Sequence, residues 1–242
     1  MSKVLKSAAQ ELIKELSGLS FSDPVTHVYN PLDYAWTPHA LYLDRFAQGK
    51  KKILFLGMNP GPWGMAQTGV PFGEIEAVSE WMGINTLVNQ PANEHPKRPI
   101  QGFGCPRSEV SGRRLWGLFS EEFPKAEDFF QDHYVTNFCP LVWMGETGKN
   151  ITPDKLLKAE SAPVDLACRK HLVTIIEQMQ PEYLIGVGAY AEKQFKLVVK
   201  EHLPDFDGTV AKILHPSPAS PAANRGWAEA AMKQLKEIGC WQ

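Results

Sequence analysis

Four short apolar runs constrain this chain most: "KKILFLG" from Lys51, "HYVTNFCPL" from His133, "YLIGVG" from Tyr183 and "VAKILH" from Val210. Their apolar residues are consecutive rather than alternating. That pattern predicts strands covered on both faces, as in a parallel sheet. Helical spacing fills the gaps. Val164, Leu166, Leu172, Ile175, Ile176 and Met179 line a segment that ends before Pro181, and "AYAEKQFKLVVKEHL" follows the third run. Strands that alternate with helices predict an α/β protein: three α/β/α layers around a central, mostly parallel four-stranded sheet. A single domain spanning residues 1–242 is expected, since a chain of this length can bury a core without staples.

Other helices are expected from Lys3 to Leu16, from Thr37-Pro38 to about Gln48, and over "EIEAVSEWMG". "SEVSGRRLWGLFSEEF" reads as a helix capped by Ser108 or Ser111. Thr152-Pro153 and Ser220-Pro221 are cap pairs, the second opening a final helix that ends near Gly239. Asn85 to Gly104 reads as an irregular surface excursion. The first helix is amphipathic and carries charges, so it is not expected to be a signal peptide. No apolar run is long enough to cross a bilayer. An intracellular protein is expected, in a bacterial cytoplasm or a eukaryotic nucleus.

Cys105, Cys139, Cys168 and Cys240 form no C-x-x-C pair, and the histidines form no H-x-x-x-H pair. Free thiols are expected, with no metal and no cofactor. A net charge of −2 argues against a basic nucleic-acid coat. Lys97, Arg98, Arg107, Arg113 and Arg114 are concentrated locally and read as a solvated face. Trp63, Trp81, Trp116 and Trp143 read as packing residues.

In open parallel sheets, ligands bind beyond the carboxyl ends of the strands. The strands deliver "GMNPG", "NFCPL", "GVG" and "HPSP" to that rim. Asn59, Asn137 and His215 therefore converge there, and none of the delivered groups is a carboxylate, a cysteine nucleophile or a metal cluster. Taken singly, each has a plainer reading: Asn59 as a turn residue, His215 as a satisfied strand-end histidine, Phe72 as core, Met65 as filler. Gly186 and Gly188 lack the third glycine of a dinucleotide fingerprint, and no G-x-S-x-G elbow is present. The loop "GMNPGPWGMAQTGVPFGE" combines glycines, which allow close approach, with prolines, which hold it rigid. Phe72, between Pro71 and Gly73, suits a stacking platform.

That loop, with "NFCPL" and "HPSPASPAANRGW", resembles the single-strand-selective monofunctional uracil-DNA glycosylases, a branch of the uracil-DNA glycosylase superfamily. The resemblance runs from about Tyr29 to the C-terminus. It implies hydrolysis of the bond joining uracil, or a 5-substituted uracil such as 5-hydroxymethyluracil, to deoxyribose in DNA. It implies base flipping in single- or double-stranded DNA, a monomeric enzyme and an abasic product. It places Asn59 at the attacking water and His215 at the uracil O2. Asn137 reads the Watson–Crick edge, Phe72 stacks on the base, and Gly61 and Met65 lie near the 5-position. Ser217, Pro218, Ala219, Ser220 and Arg225 fall on a wedge that enters the duplex. Animal members would carry arginine where Ala219 stands. Two other readings remain open: a mismatch-type or deaminated-purine glycosylase of the same fold, or a module that holds damaged bases without cutting.

Overall fold

The computed structural model describes residues 1–241. The expected sheet is present. Strands β2 (Ile53–Gly57), β3 (His133–Asn137), β6 (Tyr183–Val187) and β7 (Thr209–Ile213) lie in the order β3-β2-β6-β7, all parallel. Every residue of β2 is buried, which accounts for its unbroken apolar run. Gly57 pairs with Asn137, and Val187 with Ile213, so the strands finish on one rim. The chain runs from β2 outward to β3, then returns past β2 to β6. Such a reversal opens a crevice at the carboxyl ends.

Helices α1 (Ser2–Ser17), α7 (Lys158–Met179) and α8 (Ala189–His202) pack together, and α8 covers β6, β7 and β2. Helices α5 (Val110–Glu122) and α10 (Trp227–Ile238) pack on each other, and α10 also meets β7. Helix α3 (Trp36–Phe46) joins α1 to α6 (Ala126–Asp132). An aromatic cluster fills the space under β2 and β3. Phe119 stacks on Phe129 at 4.5 Å, and Trp241 stacks on Phe119 and on the His133 ring.

Several local expectations need correction. A second, antiparallel sheet joins β1 (His27–Tyr29), β4 (Val142–Met144) and β5 (Asn150–Ile151). Its strands are too short to leave a periodic signature. Helix α6 and the one-turn helices α2 (Pro31–Tyr34) and α4 (Met65–Thr68) escaped notice for the same reason. Helix α5 begins one residue past Glu109, and neither Ser108 nor Ser111 holds the N-cap position. "EIEAVSEWMG" is wound as a π-type turn over Ala77–Trp81. Thr152-Pro153 opens only a 3₁₀ turn, Pro153–Lys155. Ser220 does act as a cap, accepting the Ala223 N–H at 3.3 Å. The helix it caps, α9 (Pro221–Asn224), lasts one turn, because Gly226 at φ 137° breaks the chain before α10.

Candidate active site

The ends of β2, β3 and β7 each contribute a side chain to a single cavity. Asn59 sits two residues past the end of β2. Its Nδ2 donates to the Leu141 carbonyl at 3.1 Å. That anchors the amide and leaves Oδ1 as its free acceptor. Asn137 is the last residue of β3. Its Nδ2 meets only the Met65 thioether, at 3.3 Å, a weak acceptor that a ligand carbonyl can replace. Gly57, beside Asn137 in the sheet, has to be glycine. A Cβ there would collide with Asn137 Oδ1 and come within 2.5 Å of the Phe72 ring.

Phe72 is buried at 7% exposure and has φ of 52°, the left-handed region that non-glycine residues avoid. Strain of this kind persists only where the surroundings hold the residue in place. Trp116 Nε1 donates to the Pro71 carbonyl at 3.3 Å, and Gly73 N–H returns to Val70 at 2.8 Å. His215 lies two residues past β7. Its ring centroid is 6.3 Å from that of Phe72, tilted by 42°. Burial holds its pKa below the ordinary imidazole value, so at neutral pH it is uncharged and offers one N–H.

The cavity measures about 160 Å³. Asn59, Gly61, Met65, Phe72, Asn137 and His215, all singled out in the sequence, line it. The turn that carries Ser217, Pro218, Ala219, Ser220 and Arg225 does not. It follows His215 at the rim, and Arg114 braces it by donating to the carbonyl of Pro216 at 3.1 Å and to Asn224 Oδ1 at 2.9 Å. Asn224 Nδ2 closes the turn onto the Pro218 carbonyl at 2.9 Å.

The basic region is more structured than a solvated face. Arg107 and Arg98 lie over the Trp63 ring at 4.5 and 5.1 Å from its centroid. Trp63 is thus partly exposed between two cations, not a core residue. Trp116 and Trp143 are fully buried, as expected.

Sequence reasoning missed Glu109, Ser111 and Asn150, which also line the cavity. Glu109, delivered from the start of α5 rather than by a strand end, adds a carboxylate to the site. Burial pushes its carboxyl up to about 7, while the N–H groups of Trp63 and Gly64 pull the other way. A glutamate just ahead of a helix reads in sequence as a favourable charge at the helix start, so nothing marked it out. Asn150 comes from the unforeseen small sheet, and its Oδ1 is buried without a partner. Among the described residues, no group of three or more His, Cys, Asp or Glu side chains is placed to hold a metal ion.

The chain as a whole is similar to known proteins. Residues 43–236 match the family described as Uracil DNA glycosylase superfamily. The single-strand selective monofunctional uracil-DNA glycosylase of Rattus norvegicus is 45% identical over 225 residues, covering 93% of this chain and 80% of the rat protein. The Bos taurus protein of the same description is also 45% identical, with 82% of its length covered. The crystal structure of Pedobacter heparinus SMUG2 shares the fold at a TM-score of 0.63 and 17% identity, over 96% of this chain and 98% of that one. The chain belongs to the uracil-DNA glycosylase superfamily.

Proposed function

We propose that the protein is a monofunctional DNA glycosylase that releases uracil and 5-substituted uracil from DNA and leaves an abasic site. The observation that carries this reading is the convergence of Asn59, Phe72, Asn137 and His215 on one cavity of about 160 Å³. The names of the rat and bovine relatives point the same way.

A base cannot reach this cavity from within a stack, so the nucleotide rotates out at a cost of a few kcal/mol. Stacking on Phe72 returns about 1–3 kcal/mol. Asn137 offers Oδ1 to the base N3–H and Nδ2 to O4, a pattern that cytosine does not complement. Negative charge gathers on the base as the glycosidic bond stretches, and the sugar becomes oxocarbenium-like. Neutral His215 donates toward O2, and one such donor is typically worth about 3 kcal/mol. Water attacks C1′, the C1′–N1 bond breaks and its electrons leave with the base, while the proton lost by the water passes to solvent and the released base anion takes one up from solvent. Asn59 Oδ1 holds that water without taking its proton. No lysine lines the cavity, which supports hydrolysis without a Schiff-base lyase step. In this reading the turn with Ser217, Pro218, Ala219, Ser220 and Arg225 fills the gap in the duplex. A monomeric, intracellular enzyme goes with this reading. No described helix is long and apolar enough to cross a membrane.

Incubation with a uracil-containing oligonucleotide followed by alkali tests the proposal. Cleavage at the uracil is the expected result, and an intact strand from folded protein would overturn it. Running hypoxanthine, xanthine and 5-hydroxymethyluracil beside uracil, in single and double strands, separates this reading from a purine-directed relative.

A further inference from the structure

Glu109 is the one carboxylate lining the cavity. Its Oε2 is buried and has no hydrogen-bond partner. Gly61 and Gly64 make room for it: a Cβ on either would stand 2.6 or 2.7 Å from that oxygen. Although Glu109 occupies the N-cap position of α5, its side chain makes no cap hydrogen bond. None of the ion pairs among the described residues involves it. A carboxyl group has thus been placed in the cavity with no cation beside it, and only the backbone N–H groups of Trp63 and Gly64 favour its charged form.

We propose that Glu109 contacts the flipped base along its O4–C5 edge and has to be uncharged for the base to leave. This rests on the glycosylase reading above. The edge follows from Asn137. With Oδ1 on N3–H, its Nδ2 lies at O4, and that nitrogen is 3.3 Å from Met65 Sδ. Met65 therefore flanks O4 and the adjacent C5. Gly64 precedes Met65, and the Glu109 carboxyl backs both Gly64 and Gly61. In a cavity this small, an ionised carboxyl opposes the negative charge that builds on the departing base. The neutral acid removes that repulsion and adds a donor at the same edge.

The surroundings leave this proton under local control. The loop from Met58 to Gly73 has no ionisable side chain. The end of β3 offers Asn137 and β5 offers Asn150, both uncharged. Across the cavity His215 is neutral at pH 7. On α5 itself, Arg114 is engaged with the rim turn, while Arg113 follows one turn after Glu109 and donates its backbone N–H to the Glu109 carbonyl. Arg107 and Arg98 are stacked on Trp63. Burial places the carboxyl at about 7, so the group changes charge within the working range.

The test is the pH dependence of kcat/KM for uracil release from a single-stranded oligonucleotide, from about pH 6 to about pH 8.5, since kcat/KM reports ionisations of the free enzyme. The native protein should lose rate above neutrality, approaching about tenfold per pH unit for one proton. Glu109→Gln, which cannot ionise, should give a flat profile over the same range at a lower absolute rate. A flat native profile would overturn the proposal without any variant. So would a Glu109→Gln protein, folded by circular dichroism, that keeps the falling limb. Absence of uracil release at every pH from the native protein is a different result: it defeats the glycosylase reading itself.

Discussion

Asn59 and His215 are held by different means, and that difference shapes what their loss should do. Asn59 is anchored through Nδ2 to the Leu141 carbonyl, with its acceptor free. The His215 side chain makes no hydrogen bond to the described residues, and burial keeps it neutral. Neither side chain supports the core. Asn59→Ala and His215→Ala should each lower the single-turnover rate about 10²- to 10³-fold, the usual cost of removing one transition-state contact. DNA affinity, measured by fluorescence anisotropy, should change only a few-fold. At this scale the sequence was informative where a motif surrounds the residue. Asn59, Asn137 and His215 each sit directly at or just past a recognisable strand end, and Phe72 belongs to the loop motif that follows β2. Glu109 was illegible because its role depends on where α5 is set down, and only the packing of α5 against the Gly61–Gly64 loop decides that.

The turn after β7 is a small element held together by Arg114, Asn224 and the Ser220 cap. Arg114 stands on α5, about a hundred residues earlier in the chain. Removing it takes away charge-assisted hydrogen bonds worth about 1.5–3 kcal/mol. Arg114→Ala should therefore loosen the turn and slow uracil release from duplex DNA about tenfold. Release from single strands, where no gap has to be filled, should fall less. Parallel single-turnover assays on both substrates check this. The sequence marked Ser220-Pro221 as a helix start, which it is, but missed that Gly226 stops the helix after one turn. Cap chemistry is local and legible. How far a helix then runs depends on what its next turn packs against.

At the scale of the whole molecule, the sheet positions the rim and the aromatic cluster supports the sheet. Phe129 stacks on Phe119 and on the His133 ring, at the foot of β3. Burial holds His133 near 4, so it stays neutral there at any working pH. Phe129→Ala should cost about 3–5 kcal/mol. Urea denaturation should show a lower midpoint with an unchanged slope. Surviving folded protein should keep its substrate preference, since no cavity residue is touched.

The amino-acid sequence by itself determined the parallel sheet, its covering helices and the strand ends from which Asn59, Asn137 and His215 project. These follow from periodicity, burial and punctuation by glycine and proline, all local in the chain. The tertiary structure alone decided that these ends share one cavity, that Glu109 and Asn150 enter it, and that Arg114 braces the rim. Those outcomes depend on crossing angles and contacts between segments far apart in sequence, which no local pattern encodes.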